Sequence, residues 1–163
     1  MDQINGRASE KRILANVTDG NVIAVGELLD GVYSKKLSGD GYAVMPAKKL
    51  RIFEGGNVEL SAPADGVVTG IEGGRLTMRT GDGISVCVVM GEAAKMFTDV
   101  GSRLSAGEHF CTLPPKKYLR RSLYSGAIPV LITEPQRVTE LHILSGYHKS
   151  GEKAAQYKAL YDV

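Results

Sequence analysis

The chain has 163 residues, 43% of them hydrophobic, with a formal net charge of +2. That length suits one domain with a buried core, and so even a charge balance leaves no electrostatic footprint for nucleic acid or an anionic membrane. No run reaches the roughly 18 apolar residues of a membrane span.

Residues 1–12 are polar and charged, lack the apolar centre of a secretory signal, and are expected to be disordered. Residues 13–163 are expected to form a single domain. Five Asp-Gly pairs punctuate the chain, at Asp19-Gly20, Asp30-Gly31, Asp40-Gly41, Asp65-Gly66 and Asp82-Gly83. Each offers a turn that takes positive φ at little cost. Short β-prone runs lie between them. Asn21 to Val25 and Tyr42 to Met45 are the first two. Val67 to Ile71 and Leu76 to Thr80 read as a hairpin closed by Gly73-Gly74. Ile84 to Met90 alternates, with Ile84, Val86, Val88 and Met90 on one face and no charge on the other, which predicts a central strand covered on both sides.

Pro115 to Leu123 predicts one or two helical turns. Ala127 to Thr133 predicts a strand, with Pro129 confining it to an edge or a bulge. Pro135 to Leu144 predicts a helix, because Pro135 suits a first helical position and Val138, Leu141 and Leu144 form a stripe. From Lys153 to Val163 helical and extended periodicities fit equally well. Regular short strands and 20 glycines point to an all-β sandwich or barrel. Cys87 and Cys111 lie in apolar runs and form no CxxC pair. They suit buried, reduced thiols in a cytoplasmic protein, and a disulfide between them stays open.

The order of motifs is specific. Asp30-Gly31-Val32-Tyr33 is followed by Ser38-Gly39-Asp40-Gly41-Tyr42-Ala43-Val44-Met45-Pro46. Then come Ser61-Ala62-Pro63-Ala64-Asp65-Gly66, the strand from Gly83 to Gly91, Val100 to Gly107, and Gly126-Ala127-Ile128-Pro129-Val130-Leu131-Ile132-Thr133. Leu144-Ser145-Gly146 and Gly151-Glu152 complete the series. In this order and spacing, from about Ile13 to Glu152, the chain resembles the glucose-type enzyme IIA of the bacterial sugar phosphotransferase system. The resemblance implies an antiparallel β-sandwich with a few short helical turns, no cofactor, and a shallow apolar face. That face would dock the histidine-containing phosphocarrier protein or the IIB and IIC domains of a sugar permease. It implies Asp30, Tyr33, Val89 and Met90 as partner-binding residues.

Members of that family carry phosphate on one histidine with a second beside it, because phosphoryl transfer needs a free imidazole nitrogen and a neighbouring donor. Where the family has Val-His-Phe-Gly, this chain reads Val88-Val89-Met90-Gly91. Val89 takes the place of the phosphorylated histidine. Gly74 is the best match to the other histidine, with Arg75 one residue away if the gap is placed differently. An acidic residue of the family is replaced by Ala93. The resemblance therefore implies a relative without the family's relay, behaving as permanently unphosphorylated.

His109, His142 and His148 match no active-site position, and none lies at a metal-ligand spacing. A phosphocarrier using a relocated His109 or His148 is the second reading. A zinc peptidase of a related fold is the third, and it lacks the required ligand strings. Lys116, Lys117, Arg120 and Arg121 form a basic cluster that suits either a solvated helix face or an acidic partner. Ser38-Gly39-Asp40-Gly41 reads as a turn, since it lacks the Gly-Lys-Ser/Thr ending of a phosphate loop.

Overall fold

A computed structural model describes residues 7–8, 10–28, 33–36, 38–47, 57–91, 94–114 and 127–161. Asp30, Ala93, the Pro115 to Leu123 turn and its basic cluster lie outside the described residues. In chain order the strands are β1 (Arg7–Ala8), β2 (Arg12–Ala15), β3 (Gly20–Ala24), β4 (Asp40–Pro46), β5 (Val58–Ser61), β6 (Gly66–Glu72), β7 (Arg75–Thr80) and β8 (Ser85–Val89). They continue as β9 (Lys95–Met96), β10 (Arg103–Leu104), β11 (His109–Leu113), β12 (Ile128–Ile132), β13 (Val138–Ile143), β14 (Gly146–His148) and β15 (Lys153–Tyr161). The only helical pieces among the described residues are 3-10 turns at Val25–Glu27, Tyr33–Lys35 and Pro135–Arg137. None is long and apolar enough to cross a membrane.

One antiparallel sheet of eight strands runs β10-β6-β7-β8-β12-β4-β3-β14. A second sheet is built on β15, which pairs with β1, β2 and β13, and a third runs β5-β11-β9. The main core lies between them. Val22, Val44, Leu76, Met78, Val86, Val88 and Val130 come from the eight-stranded sheet. Leu14, Leu60, Phe110, Leu113 and Tyr157 meet them from the other two. This is the expected sandwich: alternation along each strand puts one apolar row inside.

Tyr42 anchors the layers. Its ring is fully buried, and its hydroxyl donates to the Ala15 carbonyl at 2.6 Å, joining β4 to β2. Burial pushes the Tyr42 hydroxyl up, against a smaller downward effect from the backbone at Val17. Next to it, Gly41 serves close approach rather than a turn. A Cβ there would run into the Val130 carbonyl oxygen of β12.

Four elements differ from expectation. Arg7 and Ala8, in the segment expected to be disordered, pair with Tyr161 and Leu160, and Arg12 opens β2. Pro129 sits in a central strand, β12, between β8 and β4. The β8 ladder begins only at Val130, so the missing proline N–H falls where that ladder has already stopped. Val138–Ile143 is a strand, not a helix, preceded by a single 3-10 turn. Its pairing with β15 slips between Thr139 and His142, with Glu140 at φ 53. That bulge spaces the inward residues three and then two apart, which imitates helical periodicity. The ambiguous tail is strand β15, with Ala155, Tyr157 and Ala159 buried in alternation.

Candidate functional site

The hairpin between β6 and β7 sets the site. Glu72 pairs with Arg75, leaving Gly73 and Gly74 as a two-residue turn with φ 60 and 75. Both angles are open to glycine with little strain, so the pair fixes the register of the return strand. Arg75 then faces Val89 across the β7–β8 ladder, Leu76 faces Val88 and Thr77 faces Cys87. The Gly74 carbonyl accepts the N–H groups of Met90 and Gly91, both at 2.9 Å, and ties the turn to the end of β8. The residue directly beside Val89 is thus Arg75. Gly74 lies in the turn and presents backbone.

Strand alternation sends Leu76 and Val88 into the core and puts Arg75, Thr77, Cys87 and Val89 on the outer face. A smaller apolar cluster covers part of this face. It contains Val25, Leu28, Tyr33, Ala43, Ala127 and Leu131, with Ile23, Met45 and Val89 packed against it. Tyr33 enters it from the 3-10 turn Tyr33–Lys35 and is only 4% exposed. Its expected place on a docking rim is therefore taken through its hydroxyl. That oxygen accepts a hydrogen bond from the Arg75 guanidinium at 2.9 Å. The Arg75 Cζ lies 5.8 Å from the Tyr33 ring centroid, so the hydroxyl end of the ring, more than its face, holds the cation.

Arg75 itself is exposed. Glu72 is its partner across the turn, yet among the described residues no carboxylate forms an ion pair with Arg75. Cys87 lies two residues from Val89 on the same face. Burial pushes its thiol up, and a hydrogen bond with Thr77 and the Arg75 charge partly offset that. Gly73, Gly74, Arg75, Gly91, Ala94 and Met96 line a shallow open depression beside the turn.

Met90, expected on a docking face, is fully buried, with its sulfur 3.6 Å from the Cys111 thiol. It keeps the inward parity of Val86 and Val88 and serves the core. Cys87 and Cys111 are both free and buried. The histidines lie elsewhere. His148 is on β14, separated from β8 by four strand spacings, roughly 19 Å along the sheet. Its Nε2 meets the Leu144 carbonyl at 2.8 Å. His109 is on β11 of the three-stranded sheet, its ring edge-on to Phe97 and its Nε2 2.9 Å from the Cys111 carbonyl. His142 is exposed on β13. No cluster of three His, Cys, Asp or Glu side chains among the described residues is arranged to hold a metal ion.

A family model described as the phosphoenolpyruvate-dependent sugar phosphotransferase system, EIIA 1, matches residues 12–138. The chain belongs to this family. A solved structure, glucose permease IIA from Mycoplasma capricolum, is similar to it with a TM-score of 0.76 at 18% identity. The match covers 91% of this chain and 96% of that one, and at this identity it speaks for the fold. EIIA members work with other components of the system, such as the phosphocarrier protein and the IIB and IIC domains. In this EIIA chain the outer face offers a fixed guanidinium, a threonine hydroxyl and an aliphatic patch. Val89 and Gly74 bring no nucleophilic side chain to it.

The position of Arg75 is what sequence comparison alone left open. The signal that fixes it is the Gly73-Gly74 pair. Two adjacent glycines in a two-residue turn make the next residue the first of the return strand.

Proposed function

We propose that this chain is a non-phosphorylatable EIIA that works by binding, in the cytoplasm, to the phosphocarrier protein or to a sugar permease's IIB or IIC domain. The observation that carries this reading is Val89. It stands on the outer face at the end of a central strand, beside Arg75 and over the Tyr33 cluster, where the resemblance implies the phosphorylated histidine. A valine side chain has no lone pair with which to attack phosphorus, and a guanidinium stays protonated at ordinary pH. Such a member presents one state to its partners, whatever the phosphorylation level of the rest of the system.

Relocation of the phosphoacceptor to His148 is disfavoured by the three strands between β8 and β14. Relocation to His109 is disfavoured by its place in another sheet. The deciding experiment incubates the protein with phosphoenolpyruvate, enzyme I and the phosphocarrier and records intact mass. No gain of about 80 daltons, the mass of one added phosphoryl group, is expected while a histidine-bearing EIIA control gains it. A gain that is lost in His148→Ala or His109→Ala would overturn the proposal.

A further inference from the structure

Among the described residues, Arg75 is held in place by a hydrogen bond and has no carboxylate in an ion pair with it. Tyr33, buried and locked in the outer cluster, accepts one of its N–H groups. The neighbouring carboxylate, Glu72, sits directly across the turn, and the guanidinium is turned to the phenol instead. A phenol hydroxyl orients a guanidinium but leaves its charge intact, so the remaining donors point a full positive charge toward solvent. Thr77 lies two residues along the same face, about 7 Å away, and adds a hydroxyl. Val89, directly opposite Arg75 on β8, gives an apolar floor beside it. A flat cationic fork over a half-buried apolar floor suits a tetrahedral dianion presented by a protein surface, because bidentate charge-assisted hydrogen bonds form with phosphate oxygens while the floor excludes water around them.

We propose that Arg75, positioned by Tyr33, is a phosphoryl-binding residue that grips the phosphoryl group carried by a partner protein without taking it. This rests on the non-acceptor reading above and gives it a partner state: the phosphorylated form of the phosphocarrier is bound in preference to the unmodified form. No bond to phosphorus forms or breaks. The phosphoryl group stays on the partner's histidine and only its oxygens are contacted.

The test measures affinity of the full chain for the phosphocarrier protein, phosphorylated or not, by biolayer interferometry at fixed ionic strength. The wild type is expected to prefer the phosphorylated form by about tenfold or more, the scale of one charge-assisted contact. Arg75→Ala is expected to remove that preference. Arg75→Lys keeps the charge, loses the fork and retains only part of the preference. Tyr33→Phe keeps the ring, frees the guanidinium and lowers the preference less than Arg75→Ala. Equal affinity for both forms, binding of neither form, or a preference that survives Arg75→Ala would overturn the proposal. Inorganic phosphate is titrated alone as a second arm. Loss of the preference at phosphate concentrations too low to act through ionic strength would show a site for free phosphate and overturn the partner-borne source. Intact mass taken on the same samples separates the two readings. A phosphorylated chain defeats the non-acceptor reading, whereas an unmodified chain with no preference defeats this inference alone.

Discussion

On β7 and β8 the inward residues Leu76, Met78, Val86 and Val88 are fully buried, while their outward neighbours Arg75, Thr77, Cys87 and Val89 meet a thinner, partly polar cover. The two faces share one backbone and one register, and they differ in what the side chains lie against. The inner face is packed from two further sheets. The outer face is covered by a short segment carrying Tyr33 and by a guanidinium. The contrast is a division of labour. Inward residues set stability, and outward residues are free to change the chemistry without disturbing the sandwich.

Mutations can break this contrast. The largest effect is expected from Gly41→Ala, because the added methyl meets the Val130 carbonyl in a central ladder and backbone cannot yield as a side chain does. A loss of about 3–5 kcal/mol in urea unfolding is expected. Leu76→Ala on the inner face should cost about 3 kcal/mol by transfer and cavity terms. Tyr42→Phe leaves the Ala15 carbonyl without its buried donor and should cost about 1–2 kcal/mol. Arg75→Ala, one residue from Leu76 but facing outward, should stay within about 1 kcal/mol of wild type. A change at Arg75 as costly as Leu76→Ala would contradict the contrast between faces.

The two thiols sharpen the same contrast. Burial alone pushes Cys111 up to about 12, from an ordinary 9.0. Cys87 is also raised by burial, but Thr77 and Arg75 oppose the shift. At pH 9 a thiol reagent should therefore label Cys87 before Cys111 in the folded protein, read by peptide mass. A thiol with a raised folded pKa releases its proton more easily when unfolded, so the folded state is favoured fully below pH 9 and loses ground as pH rises from 9 towards 12. The slope approaches about 1.4 kcal/mol per pH unit for each such group. In Cys111→Ala the decline between pH 9 and 10, before Tyr42 dominates, should be shallower by more than half of one proton's worth.

Much of the fold was legible in the sequence, and the failures have local causes. The hairpin from Gly66 to Thr80 is dictated by alternation closed by two glycines, and the central position of Ser85–Val89 by the absence of charge on both its faces. The inward parity of Met90 was legible too, since it continues Ile84, Val86 and Val88. Family likeness drew it to the surface instead. Val138–Ile143 was misread because the bulge at Glu140 breaks period two, a long-range pairing effect that a local window cannot see. Pro129 in β12 was misread because its tolerance depends on where the neighbouring ladder stops. The Arg75–Tyr33 bond joins residues 42 apart and has no local signature.

Strand β15 carries one more consequence. It holds β2 and β1 from the start of the chain as well as β13 beside it, with Gln156 opposite Ile13 and Leu160 opposite Ala8. During synthesis, Leu14 and its neighbours must therefore wait for their partners on β15, in Leu14's case Ala155, before their side of the core can close. Such distant pairing predicts folding on the millisecond-to-second scale. It also predicts a late closing step in which the nascent chain shows an open apolar face until β15 has emerged.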